Sequence, residues 1–505
     1  GRDYEFRYAM PGRNPAAEFT QRNLAFFVED RLTLSDRLTI TAGLRIDTPI
    51  VPNAPLSNPL VEETFGVRND ATIDGNRVIQ PRVSFNLAVD PERKTQVRGG
   101  LGLFYGKQPQ VWLSNTYSNN GLSIASLRLT GSNVPPFSVE QEVPSDGTLP
   151  RFVINLTDPD FELPSNWKTN FAIDHQLPWY GMTLTAEAIW SWVNNGIHYT
   201  HLNLNEAGTL PDGRILYTGS SAWSREDGFN EVIYLTNTDQ GHADNYTLSI
   251  NRPMDPEDGW AFSAAYNYQN AEDVQPGTSS QAISSWRARG VINPNEEVAA
   301  RSDYEVKHRF IASVSKEFRW SERLQTIVNV VYEGRSGRPF SYVFANDINA
   351  DRVNSGGRQN DLFYVPAGTS DPLYGGMANP ATEAAFFAYL NSNLGGYKGQ
   401  IVPRNVGTES FIHQWDLNIT QRIGTIRDNQ IELIFSIKNF GNLLNKDWGQ
   451  VSQLGTFPRT VRVASASVVD GKYVYNFNEA AVKSEFRETN RISRWQALVG
   501  IRYLF

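Results

Sequence analysis

The sequence predicts an all-β protein, a transmembrane antiparallel β-barrel with about 13 spanning strands. Three observations predict it. Segments about 10 residues long alternate apolar with polar side chains, the period of a strand with one wet face. These segments come in pairs joined by short turns, and long connections join one pair to the next. The chain also closes on such a segment. In Arg494 to Phe505, Trp495, Ala497, Val499, Ile501, Tyr503 and Phe505 share one face, and Arg494, Gln496, Gly500 and Arg502 share the other.

Composition fits this class and excludes others. The 505 residues would suffice for several soluble domains or one large barrel. Mean hydropathy is negative, and no apolar run approaches the 18 or so residues of a membrane helix. A barrel escapes that test because only alternate residues meet lipid. Aromatics are abundant, with 12 Trp, 21 Tyr and 27 Phe. Cysteine is absent, which an oxidising cell envelope permits. A net charge of −8 with no basic block argues against nucleic acid as a partner. The first residue is Gly1 and no signal peptide is visible, so the expectation is a processed or partial chain.

The predicted strands are 20–32 and 38–47 around Ser35-Asp36-Arg37, then 80–89 and 95–106 around Pro91-Glu92-Arg93-Lys94. Next are 166–177 and 182–193 around Trp179-Tyr180-Gly181, and 243–252 and 260–270 around Asp255-Pro256-Glu257-Asp258-Gly259. The last pairs are 304–318 and 323–334 around Trp320-Ser321-Glu322, and 411–423 and 429–440 around Gly424 to Asp428, before a final strand over 492–505. The second strand shows the pattern well. Leu38, Ile40, Ala42, Leu44 and Ile46 alternate with Thr39, Thr41, Gly43, Arg45 and Asp47.

Long connections run over 48–79, 107–165, 194–242, 271–303, 335–410 and 441–491. Soluble domains rarely hold structureless connections beyond about 15 residues. Short turns on one side and long loops on the other are the outer-membrane pattern. A hairpin over 458–468 and 472–478 is expected within the last loop. An odd number of strands leaves the first and last running the same way, so they cannot close antiparallel. Barrels with 22 strands and a plugged lumen are a known class. The expectation is therefore strands 10 to 22 of such a barrel, with the plug domain absent from this chain.

Leu24-Ala25-Phe26-Phe27-Val28-Glu29-Asp30, Leu38 to Asp47, Gln80-Pro81-Arg82-Val83-Ser84-Phe85 and Val97 to Gly106 resemble segments of TonB-dependent outer-membrane receptors of the Oar-like branch, which carry a carboxypeptidase-regulatory-like domain. Ser336-Gly337-Arg338-Pro339-Phe340 and Asn439-Phe440-Gly441-Asn442-Leu443-Leu444-Asn445 are similar to later family segments. The resemblance implies ligand recognition by extracellular loops and energised uptake across a Gram-negative outer membrane. Implied partners are outer-membrane lipid, an N-terminal plug with the missing strands, and TonB-ExbB-ExbD acting through the plug. The terminal Gly500-x-x-Tyr503-x-Phe505 resembles the signal read by the barrel-assembly machinery. The extracellular ligand is not specified.

The best ligand-like constellation is Asp347, Asn349, Asp351 and Asp361, oxygen side chains that suit a hard cation such as Ca²⁺. The loop resembles the family's Asp-x-Asn-Gly-Asp-Gly pattern, with Ala350 and Arg352 in place of glycines. A solvated polar loop is the bland alternative. Trp167, Trp190, Trp192, Trp260, Tyr266, Tyr268 and Trp495 are candidates for interfacial girdles. Arg82, Arg98, Lys168, Asp174, Glu187, Glu432, Lys438, Arg494 and Arg502 are expected inside, against the plug or its solvent. Aromatics in 107–165 (Trp112, Tyr117, Pro135-Pro136-Phe137, Phe152) and in 335–410 suit recognition of peptide or sugar, or equally pack the loops together.

Enzyme signatures are missing. No Gly-x-Ser-x-Gly, P-loop or dinucleotide fingerprint occurs, and the one close histidine pair, His198-x-x-His201, follows a strand. No catalytic residue and no required cofactor are expected. Besides receptor-mediated uptake, two functions fit the same sequence. One is an outer-membrane adhesion or signalling protein without transport, the other a passive porin.

Overall fold

A sheet of antiparallel strands fits the sequence because each strand carries one greasy and one wet face. The computed structural model describes all residues except 1–2, 107–109, 132–133, 135, 137, 140–150, 354–358, 426–428, 456–457 and 489. Thirteen strands follow one another in a meander. They are β1 (Arg22–Thr33), β2 (Leu38–Ile50), β3 (Val78–Ala88), β4 (Thr95–Tyr105), β5 (Ser165–Gln176), β6 (Thr183–His201) and β7 (Gly241–Arg252). Then come β8 (Trp260–Asp273), β9 (His308–Ser321), β10 (Leu324–Arg335), β11 (Ile412–Gly424), β12 (Gln430–Lys438) and β13 (Gln496–Leu504). Each pairs antiparallel with the next, and at 9 to 19 residues they match or exceed a tilted membrane crossing.

Register sets the faces. Phe262 stands opposite Val314 and Val314 opposite Val330 on one side, while Ser263, Ser313 and Val331 share the other. The apolar face is bare: Phe26, Val314, Val499 and Ile501 are 65%, 47%, 75% and 77% exposed. A face of this size left to water would aggregate, and lipid covers it.

The tight turns have local causes. Tyr180 and Gly181 both take positive φ, 52° and 62°, the geometry of a two-residue hairpin turn closed by Met182 N–H donating to Trp179 O at 3.1 Å. Asp90 accepts from Lys94 N and Thr95 N at 2.9 and 2.7 Å. Arg252 clamps Asp255 and Asp258 at 3.0 and 2.6 Å. The turn Gly424 to Asp428 is only partly described, since 426–428 lie outside the described residues.

At the other end the long connections fold against one another. One core gathers Phe340, Phe344, Phe363, Phe386, Tyr473 and Tyr475, with the helix Glu383–Asn393 and the hairpin Ser465–Val469 and Lys472–Asn476. The predicted hairpin thus begins later, because Thr460–Arg462 instead pairs in parallel with Pro339–Val343. A second core holds Leu163, Tyr199, Trp223, Ile233 and Trp286. Strand β6 outruns its prediction for the same reason: its last residues, Gly196 to His201, leave β7 and pair with Phe229–Thr238 in the cap. The final strand starts at Gln496 rather than 492, because Asn490–Ser493 forms a helical turn.

β1 and β13 are the two edges of the meander. Both run from the cap end to the turn end, so they are parallel to each other.

Candidate functional site

The polar face carries two charge networks. Arg98 on β4 reaches Asp174 on β5 at 3.0 Å and Glu187 on β6 at 3.1 Å, and Thr185 donates to Asp174 at 2.7 Å. Adjacent strands position these groups: Arg98 faces Ala172, which faces Glu187 in the same row, and Asp174 lies diagonally across from Arg98. Glu432 on β12 is held by Arg422 at 3.0 Å and Arg502 at 3.2 Å. Lys438 pairs with Gln496 on the same face. Arg494 falls ahead of β13, so the inward placement predicted for it from strand alternation does not apply. Gly100 and Gly102 follow Arg98 on the same face of β4, where an added Cβ would stand 3.0 Å from Val83 O or 3.1 Å from Pro81 O.

The outward aromatics form two rows. At the cap end Trp190 donates to the Tyr246 hydroxyl at 3.0 Å, Tyr266 and Phe310 meet at 4.6 Å, and Tyr332 and Trp415 at 4.6 Å. Trp192 and Tyr268 belong to the same row, whereas Trp167 packs under the cap and Trp495 precedes β13. At the turn end stand Trp179, Tyr180, Trp260, Phe318, Trp320, Tyr503 and Phe505, with Lys316 over the Trp260 ring at 5.0 Å. From Trp260 to Tyr268 is about 27 Å along the strand, close to the height of an outer-membrane apolar band.

Asp347, Asn349, Asp351 and Asp361 do come together, in a buried knot of the cap rather than a solvated loop. Asp361 is 1% exposed and Asn349 and Asp351 are 0%. Asp347 accepts from Asp351 N and Arg352 N at 3.0 Å each, Asp351 from Val353 N at 2.8 Å, and Asp361 from Ile348 N at 3.1 Å. Ala350 and Arg352 take φ of 58° and 70°, so the backbone keeps the left-handed geometry that glycine would allow freely. The Arg352 guanidinium lies over the Trp223 ring at 4.4 Å. Burial, then the charges of Asp361 and Asp347, drives the Asp351 carboxyl well above the usual range. Burial likewise raises Asp361 to about 7, with Arg214 opposing and Asp347 adding to the shift.

Sequence reading missed Arg214. Its side chain is fully buried, 2.7 Å from Asp212, 3.7 Å from Asp361, and it donates to Leu362 O at 2.7 Å. No local pattern signals a partner 148 positions away. Among the described residues no three Asp, Glu or His side chains converge in a metal-holding group. Backbone N–H groups serve Asp347 and Asp351, whereas Asp361 Oδ1 faces Arg214 at 3.7 Å without a hydrogen bond.

The loop aromatics are mostly core. Phe340, Phe363 and Phe386 are at most 3% exposed, and Tyr342, Tyr364 and Tyr374 are buried with them. The recognition reading of these rings is therefore replaced by its alternative, packing of loop on loop. Pro135 and Phe137 lie outside the described residues. His198 and His201 sit at the buried top of β6, where burial lowers them to about 4 and about 3, and the ring of His201 packs against both Trp223 and Trp286.

The sequence pattern of the family described as Outer membrane beta barrel domain matches residues 8–456. No curated protein matches the chain. Among solved structures, the outer membrane transporter YddB from Escherichia coli is similar at 9% identity and a TM-score of 0.48, over 96% of this chain and 45% of that one. The FrpB iron transporter from Neisseria meningitidis is similar at 11% identity and 0.41, over 85% and 42%. BauA, the ferric preacinetobactin receptor from Acinetobacter baumannii, is similar at 10% and 0.41, over 96% and 43%. The chain spans less than half the length of these proteins, and at these scores the fold assignment rests on the sheet itself and on the family match.

Proposed function

The chain belongs to the Outer membrane beta barrel domain family, and from that premise we propose that it is barrel and cap of an Oar-like TonB-dependent receptor. As an integral protein of the outer membrane it crosses the bilayer with strands. In the proposed cycle the cap admits a solute, the polar face guides it, and a plug driven by TonB-ExbB-ExbD releases it inward.

One observation carries the reading: thirteen antiparallel strands form a single meander whose two edges run parallel. Such edges cannot pair antiparallel with each other, and an odd number of further strands would complete an even-stranded barrel. The Oar-like segments add the plug and the energy coupling. An adhesion role is the second reading, favoured by the well-packed cap, which resembles a small domain more than a set of open loops. We also read the Asp347–Asp361 knot as a Ca²⁺-responsive tie of the cap. Its support is Asp361 Oδ1, buried without a hydrogen bond among carboxylates that outnumber Arg214.

The experiment is conductance of the full-length protein in planar bilayers, together with the coding sequence upstream of Gly1. A closed barrel that conducts only once an upstream plug is deleted fits the proposal. Steady conductance in the intact protein supports a porin. An upstream region with no plug and no further strands removes transport and leaves adhesion.

A further inference from the structure

The polar face holds a pocket of about 420 Å³ where β8, β9 and β10 meet the cap, and neither charge network described above reaches it. Its wall includes Asn267 and Gln269 from β8, Arg309 from β9, Glu333 and Arg335 from β10, and Arg338 from the adjoining loop, beside Tyr304. Three guanidiniums there face one carboxylate. Glu333 is shared between Arg309 at 2.9 Å and Arg335 at 3.7 Å. Among the described residues Arg338 has no ion pair, and its neighbours add positive charge. Arg459 is close enough for burial and Arg338 together to lower its pKa.

The nearby acids are already committed. Glu409 is 1% exposed at its side chain, lies 3.8 Å from Arg459, and accepts from Leu454 N and Arg338 N. Asp303 is buried and accepts from Asn405 at 2.8 Å. The Arg338 backbone is fixed by the preceding glycine: a Cβ on Gly337 would lie 2.4 Å from Glu409 O, so only glycine lets the two chains meet. The Ser336-to-Phe340 segment therefore presents Arg338 at a set place beside β9 and β10.

We propose that this pocket is an oxyanion site, holding a carboxylate or phosphate group of a solute on its way from cap to lumen. Planar guanidiniums grip such groups through paired N–H donors, and Asn267, Gln269 and the Tyr304 hydroxyl supply neutral donors around them. Glu333 positions Arg309 and Arg335 while leaving donors of each for the ligand. The inference deepens the transport reading by naming a substrate class, and it rests on the polar face being the solute path.

The test is titration calorimetry of the full chain in detergent micelles with citrate and, separately, inorganic phosphate. Binding of either supports the site; citrate alone points to carboxylate solutes and phosphate alone to phosphorylated ones. The pair Arg335→Gln with Arg338→Gln should weaken binding at least about tenfold, and Arg335→Lys with Arg338→Lys should weaken it less. Lys94→Gln, in the exposed turn between β3 and β4, should change nothing. Absence of binding by the wild type, equal binding in the double Gln variant, or an equal loss in Lys94→Gln would overturn the proposal. Heat-modifiable gel mobility confirms that each variant is folded. Loss of transport with intact citrate or phosphate binding would count against the receptor reading alone.

Discussion

Arg214 lies 2.7 Å from Asp212, and neither side chain is more than 1% exposed. The guanidinium also faces Asp361 and caps Leu362 O, tying 212–214 to the far side of the cap. Removing one member of a buried pair strands the other charges. Arg214→Met should therefore destabilise the cap by about 3–5 kcal/mol. Limited proteolysis should find 335–410 newly cleaved while the strands stay protected. Unchanged protection of the cap would show that Arg214 is dispensable.

The knot makes the cap pH-dependent. Asp361 is raised to about 7 in the folded protein, above its ordinary value of 3.8. A raised carboxyl stabilises the fold fully below its unfolded pKa, and that contribution is lost as pH rises through the folded value. Cap stability, followed by hydrogen exchange of Ile348 and Val353 amides, should fall between about pH 4 and pH 7. Asp361→Asn should flatten that slope. A cap that strengthens over this interval contradicts the assignment.

Ca²⁺ should oppose that loss at pH 8, where the carboxylates are charged. Millimolar Ca²⁺ is expected to raise the temperature of cap unfolding in the wild type, and Asp347→Ala to abolish the rise. An equal response in both proteins, or none in either, removes the cation role while leaving the hydrogen-bonded knot intact.

Gly337 approaches Glu409 O so closely that any side chain must push the backbone apart. Gly337→Ala should cost about 1–3 kcal/mol and displace Arg338, lowering citrate or phosphate affinity with no change in the strands. Wild-type affinity in this variant would mean Arg338 needs no such anchor.

The strands were legible in the sequence because alternation reports a sheet with two different solvents. Leu38 to Asp47 and Gln496 to Leu504 show it plainly, and the turn at Asp255–Gly259 carries residues suited to it. The cap was not legible. Phe363, Phe386 and Tyr475 have no shared period, and their contacts join segments far apart in sequence. The top of β6 looked like loop because its partner, Phe229–Thr238, lies in the cap rather than in the meander. Of the cation candidates, the local group Asp347 to Asp351 could be read, since Asx turns are local. Arg214 could not, and it decides how the buried charges balance.

The most direct test of the central claim, that this sheet crosses the outer membrane with one face to lipid, uses the absence of cysteine from these 505 residues, with any cysteine elsewhere in the protein replaced by serine. Single cysteines placed along β9 from Ala312 to Phe318, in the full-length protein in outer membranes, are labelled with a water-soluble maleimide and a lipid-soluble one. Ala312, Val314, Lys316 and Phe318 face outward, and Ser313, Ser315 and Glu317 face inward. The outward set should react only with the lipid-soluble reagent and the inward set with the water-soluble one, alternating at every residue. Aqueous labelling at all seven positions, or a pattern without the two-residue period, would contradict the account.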